Sequence, residues 1–384
     1  MLRYLASMLV LTAALLIVAC GESGTPADSG GPVSGNGDAT VTPRAMGEFV
    51  KTGHMGDDRQ FHSAVLLDDG RVLVTGGRGR RLGAMRGAVH TSAEVYDPET
   101  EEWAPTGSMS VQRRSPIVGL LPDGTVLAAG ARDISETIQK TAEIWDPLTG
   151  TWVPTGSLSL RRDEPASLTL EDGRVMVIGG VDGSEFVVVE TVEVFDPATG
   201  EWSEGGSIAV PRVQAVVTLL SDGRVLVTGG GRPDGPHLDS AEVYDPETDS
   251  WSSAGTMSIG RTLHTATLLN DGRVLVVGGV GRLTSAEIWD PATNTWTSAG
   301  DTVEARAEHT ATLLRDGAVL VAGGVRNLQS AEIYDPATGL WSPGGEMTES
   351  RYRHTAILLN DGSVLIAGGQ SKDRNSPTAE LYVP

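Results

Sequence analysis

A framed Asp-Gly pair recurs seven times along the chain, at Asp69-Gly70, Asp123-Gly124, Asp172-Gly173, Asp222-Gly223, Asp271-Gly272, Asp316-Gly317 and Asp361-Gly362. The spacings are 54, 49, 50, 49, 45 and 45 residues. Each pair sits between short apolar, β-branched runs, as in "ATLLNDGRVLVV" from Ala266 to Val277. Asp-Gly in that setting signals a tight hairpin, because glycine accepts positive φ and aspartate tolerates it. One such unit cannot bury both faces of its own sheet. A chain that repeats it must stack the copies against one another.

The rest of each unit repeats as well. Six residues after each turn glycine lies another: Gly76, Gly130, Gly179, Gly229, Gly278, Gly323 and Gly368. A second glycine follows in every copy but one, where Ala131 stands. A third strand then carries Glu94, Glu143, Glu193, Glu242, Glu287, Glu332 and Glu380, with an aromatic residue two places on. Asp-Pro breaks that strand. A fourth carries Trp103, Trp152, Trp202, Trp251, Trp296 and Trp341. The missing seventh copy precedes the first hairpin, where "FVKTGHM" (Phe49 to Met55) matches "WAPTGSM" (Trp103 to Met109). The chain thus starts on a fourth strand and ends after a third. Circular closure follows as the expectation, with the N-terminal strand completing the last sheet and no edge left open.

Seven four-stranded units with a Gly-Gly end, an aromatic on strand three and tryptophan on strand four resemble the kelch repeats, over nearly all of residues 42–384. The resemblance implies an all-β fold, a seven-bladed β-propeller of four-stranded antiparallel blades. Strand order then separates two faces. The Asp-Gly turns and the uniform "DPET" or "DPAT" turns share one, the turn face. The strand two-to-three connections share the other, the loop face. They vary from "RGRRLGAMRGAVHT" in blade one and "VDGSEFVVVE" in blade three to "VGRLT" in blade five. Variable loops on a regular scaffold are where binding resides, so the ligand is expected there.

Ten residues before each Asp-Gly aspartate stands an arginine: Arg59, Arg113, Arg162, Arg212, Arg261, Arg306 and Arg351. In kelch domains of ubiquitin-ligase adaptors, arginines at this place face the cavity mouth, and some grip acidic peptides. The resemblance implies an anion-reading mouth here, since guanidinium forks suit carboxylates and phosphates. The alternative is architectural. Seven arginines meet seven strand-three glutamates, and a feature of every repeat fits a structural ion pair. A further candidate breaks the repeat: Arg78, Arg80, Arg81 and Arg86 crowd the first loop with no acid among them. A solvated basic loop is the plain alternative. His62, His264, His309 and His354 share the position three after the arginine. Inner-strand side chains point between blades, so these read as core histidines and no metal site is expected.

The N-terminal segment has its own logic. Residues 1–19, "MLRYLASMLVLTAALLIVA", join Arg3 to an uncharged run of 16 residues from Tyr4 to Ala19. That is short for a membrane span and suits a secretory signal. It closes as "IVAC", which resembles the bacterial lipobox and implies cleavage before Cys20, the sole cysteine, with lipid on its thiol. Gly21, not aspartate, follows, so the outer membrane or cell surface is the expected site. Residues 20–41 add a Gly/Ser/Pro-rich tether too polar to bury itself.

Fixed charges are 29 basic and 50 acidic, a net −21, which argues against nucleic acid as partner. Acidity favours solubility and a monomer. A galactose-oxidase type of copper radical site needs a cysteine crosslinked to tyrosine, and Cys20 is committed to the anchor. No zinc-protease, nucleophile-elbow, phosphate-loop or sialidase Asp-box pattern occurs. No cofactor is expected. The reading is a lipid-anchored extracytoplasmic module that binds a protein or glycan, with an anionic ligand suited to the arginines. A carbohydrate-active enzyme resembling the sialic-acid mutarotases is the alternative, since ring opening needs little more than a placed acid and base.

Overall fold

The computed structural model describes residues 46–80, 87–185, 187–232, 235–372 and 374–384. Residues Arg44–Pro384 form one compact unit. The expected signal segment, Cys20 and its tether lie outside the described residues, as do Arg81 and Arg86.

No helix occurs among the described residues, and the chain forms seven four-stranded antiparallel sheets arranged as a propeller. Blade five shows the pattern. Its innermost strand is Thr265–Leu268, followed by Val274–Val277, Ser285–Asp290 and the outer Thr295–Asp301. The Asp-Gly turn closes the first hairpin with Gly272 at φ +84° and its N–H on the Leu269 carbonyl at 3.0 Å. Innermost strands of neighbouring blades face one another around the axis.

Apolar runs on the second strands explain the stacking. Every residue of Val274–Val277 is buried, because both faces of the strand meet a neighbouring blade. The core is therefore a set of seams between blades. At one seam Leu275, Val277 and Ile288 of blade five meet Val319, Val321 and Tyr334 of blade six. Innermost side chains alternate between seams, with Ala64 and Leu66 facing blade seven and Val65 facing blade two.

The Gly-Gly pair joins blades by close backbone approach. A Cβ on Gly278 would collide with the Arg306 carbonyl of the next blade. The Gly279 N–H donates to that same carbonyl at 2.8 Å. Ala131, the exception, adopts φ 81° despite its side chain. In the last sheet Glu48–Lys51 pairs antiparallel with Ala379–Val383, placing Phe49 opposite Tyr382 with ring centroids 5.0 Å apart. Blades seven and one also meet directly, through the Gly369 N–H on the Arg59 carbonyl at 2.7 Å.

Candidate binding face

The structure turns the seven repeated arginines into the blades. Arg59, Arg113, Arg162, Arg212, Arg261, Arg306 and Arg351 are each 1% exposed or less. In blade six, Arg306 Nη1 donates to the carbonyls of Gly323 (2.7 Å) and Ser330 (2.8 Å). Its Nη2 reaches Ser330 Oγ (2.8 Å) and Glu332 Oε1 (2.9 Å). The other oxygen of Glu332 accepts the Val303 N–H at 2.7 Å. The same set recurs from Arg59, Ser92 and Glu94 in blade one to Arg351, Thr378 and Glu380 in blade seven. Burial pushes the Arg113 and Arg212 guanidiniums below the usual arginine range, and their glutamates oppose the shift. At these positions no guanidinium is exposed to meet a ligand. The internal ion pair, expected as the alternative, accounts for their bonds.

Two residues further on, the chain bends sharply in every blade. Phe61, Ser115, Glu164, Gln214, Leu263, Glu308 and Arg353 have φ between 49° and 58°. Non-glycine residues rarely adopt this left-handed region, and each costs on the order of 1 kcal/mol. The bend hands backbone bonds from blade to blade. Ser115 N–H donates to Phe61 O (2.8 Å), Gln214 to Glu164 O (3.2 Å), Glu308 to Leu263 O (3.0 Å) and Arg353 to Glu308 O (3.1 Å). These residues ring the axis at the loop-face end of the innermost strands.

Their side chains differ from blade to blade and form a polar network. Arg353 Cζ lies 4.2 Å over the Phe61 ring, and Arg114 Cζ lies 5.0 Å from it. Such stacking of guanidinium on an aromatic face is attractive. Arg353 Nε donates to Glu308 at 2.7 Å. On the other side Gln214 Nε2 donates to Glu164 at 2.6 Å, and Arg132 grips Asp163 with two nitrogens and Glu136 with a third. Burial and the neighbouring Asp163 push the Glu164 carboxyl above the usual carboxylate range, against Gln214, Arg114 and Arg132.

The four histidines stand in separate seams. His309 Nε2 pairs with Thr265 Oγ1 (3.0 Å), His354 with Thr310 (2.9 Å) and His62 with Thr355 (3.0 Å). Blade four has valine at the matching place, and His264 pairs with Thr228 instead, at 2.9 Å. Burial first, and the nearby arginine second, hold His62, His264 and His309 at about 3, and His354 well below its usual value. No group of three or more side chains able to hold a metal occurs among the described residues.

Comparison with known families bears on this geometry. The kelch motif matches residues 61–110, 172–207, 215–258, 261–302 and 308–348, more than half of the 384-residue chain. The chain belongs to the kelch-motif family. A solved structure similar to it is a fungal alcohol oxidase in complex with copper, 19% identical, with a TM-score of 0.69. The match covers 88% of this chain and 77% of that one, and at this identity it speaks for the fold alone. No curated protein matches the chain. Copper is not carried over. The described residues of this kelch propeller include no cysteine, and its buried histidines face threonines in different seams.

The strand two-to-three loops stand on the same face as the bent residues. In blade one Arg78–Arg80 pairs with Gly87–Val89 as a hairpin. Asn375 Nδ2 of blade seven donates to the Arg78 carbonyl at 3.2 Å. Of the expected basic set Arg78 is exposed, and the side chain of Arg80 falls outside the description. Two open grooves, of about 520 and 530 Å³, lie instead on the turn face. They are lined by turn residues such as Asp69, Asp97 and Asp361, or Arg315 and Asp316.

Sequence reasoning missed the seven bent residues. A signal for them was present, because they fill a varied column between the repeated arginine and the repeated "HTA" of "RTLHTA" and "RAEHTA". It also missed the hydroxyl partners of the arginines, visible as Ser or Thr two places before each glutamate.

Proposed function

We propose that this kelch propeller is a recognition module whose protein or glycan ligand meets the loop face, and that it is lipid-anchored at Cys20 outside the cytoplasm. The observation that carries the reading is the contrast within each blade. The buried arginine, the glutamate and the first glycine of the pair are constant, while the exposed loops and bent mouth residues change. Repeated frames hold a fold together, and differences between repeats on one face can read a ligand. Glu48, the first strand residue, lies opposite Val383 at the turn-face end of blade seven.

The test is a melting-shift screen of the chain from Thr42 onward against acidic peptides, anionic sugars and cell-wall fragments. A hit lost in Phe61→Ala and Arg353→Ala but kept in Arg71→Ala on the turn face supports the reading. A hit lost only in Arg71→Ala overturns it.

One observation favours a second reading, the mutarotase-type enzyme. Arg132 bonds Asp163, while burial and that neighbouring carboxylate push Glu164 up, and a raised carboxyl beside a second one suits a general acid. Anomer interconversion followed by NMR, abolished in Glu164→Gln, would select that reading. Unchanged interconversion rates with and without protein would remove it.

A further inference from the structure

Outside the mouth, four neighbouring blades carry exposed cations on their strand two-to-three loops. These are Arg282 in blade five, Arg326 in blade six, Lys372 and Arg374 in blade seven, and Arg78 in blade one. Among the described residues none of their charged groups has a hydrogen-bond or ion-pair partner. Three of the cations stand where side chains are disfavoured, with φ of 64° at Arg282, 74° at Arg326 and 43° at Lys372. Glycine or asparagine would close these turns with less strain. Bulky charged residues held there point to a use for the charge.

The loops are braced side by side. Asn327 Oδ1 of blade six accepts the Lys372 N–H at 3.1 Å, and Asn375 of blade seven bonds the Arg78 carbonyl. Several acids of this face are bonded internally: Glu308 to Arg353, Glu349 to Ser376, and Asp57 to Ser92. Glu304 is exposed. The loop of blade three is the opposite case, with Asp182, Glu185 and Glu190 and no cation. The four cationic loops hold no aromatic residue. They therefore lack both the aromatic anchors of protein interfaces and the platforms on which neutral sugars stack. Charge is what they offer, at intervals along a rim.

We propose that this row is a docking track for a linear anionic polysaccharide, one bearing a carboxylate on each sugar unit. The inference rests on the loop face being the recognition face and places this ligand on the rim rather than the mouth. Spaced cations suit a polyanion, whose released counterions favour binding and make it salt-dependent.

The test uses the chain from Thr42 onward, which contains every described strand, and fluorescein-labelled polygalacturonate read by anisotropy, with dextran as the neutral control. Arg78, Arg282, Arg326, Lys372 and Arg374 are changed together to asparagine. Asparagine tolerates the left-handed turns, so the variant should melt at or above the wild-type temperature. The expected result is wild-type binding that weakens between about 0.1 and 0.5 M salt, at least about tenfold weaker in the fivefold variant. Arg71→Ala, on the turn face, should bind the polymer as wild type does. Failure of the wild type to bind, or undiminished binding by the fivefold variant, overturns the proposal. Binding that Phe61→Ala/Arg353→Ala loses and the fivefold variant keeps overturns it too, yet leaves the loop face as the recognition face.

Discussion

Blades five, six, seven and one differ from blades two, three and four in how their seams are filled. The first arc places His264, His309, His354 and His62 on its inner strands, each bonded to a threonine of the preceding blade. The second arc has Pro116, Pro165 and Ala215 at the same place. Both arcs keep the identical arginine, glutamate and hydroxyl frame. The frame inside a blade is thus indifferent to what fills the seam, whereas the seam sets how the arc responds to acid. Loop charge follows a similar division, from four arginines in the loop of blade one to three acids in that of blade three.

The largest expected effect falls on the first arc. Starting the chain at Gly53 removes Glu48–Lys51, strips the edge of Ala379–Val383 and leaves Tyr382 without Phe49. Melting should drop by more than about 10 °C, since edge exposure adds to lost packing. An unchanged melting curve would mean that the last blade is stable with three strands.

Next comes the frame, which should matter equally in both arcs. Glu332→Ala and Glu193→Ala each leave a buried guanidinium without its carboxylate. Each should cost about 3–5 kcal/mol in urea unfolding. A large loss in one arc and none in the other would break the claim that the frame is uniform.

Acid should separate the arcs. A histidine held at about 3 when folded and near 6.5 when unfolded takes up its proton only on unfolding. Its contribution is complete above about pH 6.5 and is lost as pH falls toward 3. Each such group tilts stability by up to about 1.4 kcal/mol per pH unit in that window. His309→Gln/His354→Gln should flatten the slope measured by urea unfolding between about pH 6.5 and 4. Hydrogen exchange at pH 5 should show the seams of blades five to one opening before those of two to four. Equal exchange in both arcs would undo the comparison.

The smallest effect concerns one bond. Thr310→Val removes the partner of His354 and should cost about 1–2 kcal/mol. Ala215→Ser, in the other arc, should change stability by less than about 0.5 kcal/mol.

The frame was legible because it repeats. Asp-Gly turns, Gly-Gly ends and strand-three glutamates each recur in register, and their spacing alone implied stacked blades. The direction of the arginines was not legible. A guanidinium at the head of an inner strand can swing toward the axis or into the blade. What decides is the pair of carbonyls and the hydroxyl beside the strand-three glutamate, which only the fold brings within reach. The bent residues were hidden for the opposite reason. Their common feature is a backbone angle shared by phenylalanine, serine, glutamate, glutamine, leucine and arginine, with no residue type to mark it.

The central claim is that the repeated arginines build the blades, while the side chains of the varied residues two places on are not needed for the fold. The most direct measurement is a paired scan of melting temperature: Arg→Met at the seven repeated positions, and asparagine at the seven bent positions. The account predicts a drop of at least about 6 °C for each arginine variant, from a broken buried pair. It predicts changes within about 2 °C for each bent-residue variant, because asparagine tolerates the left-handed backbone. Arginine variants that melt like the wild type, alongside bent-residue variants that unfold, would contradict it.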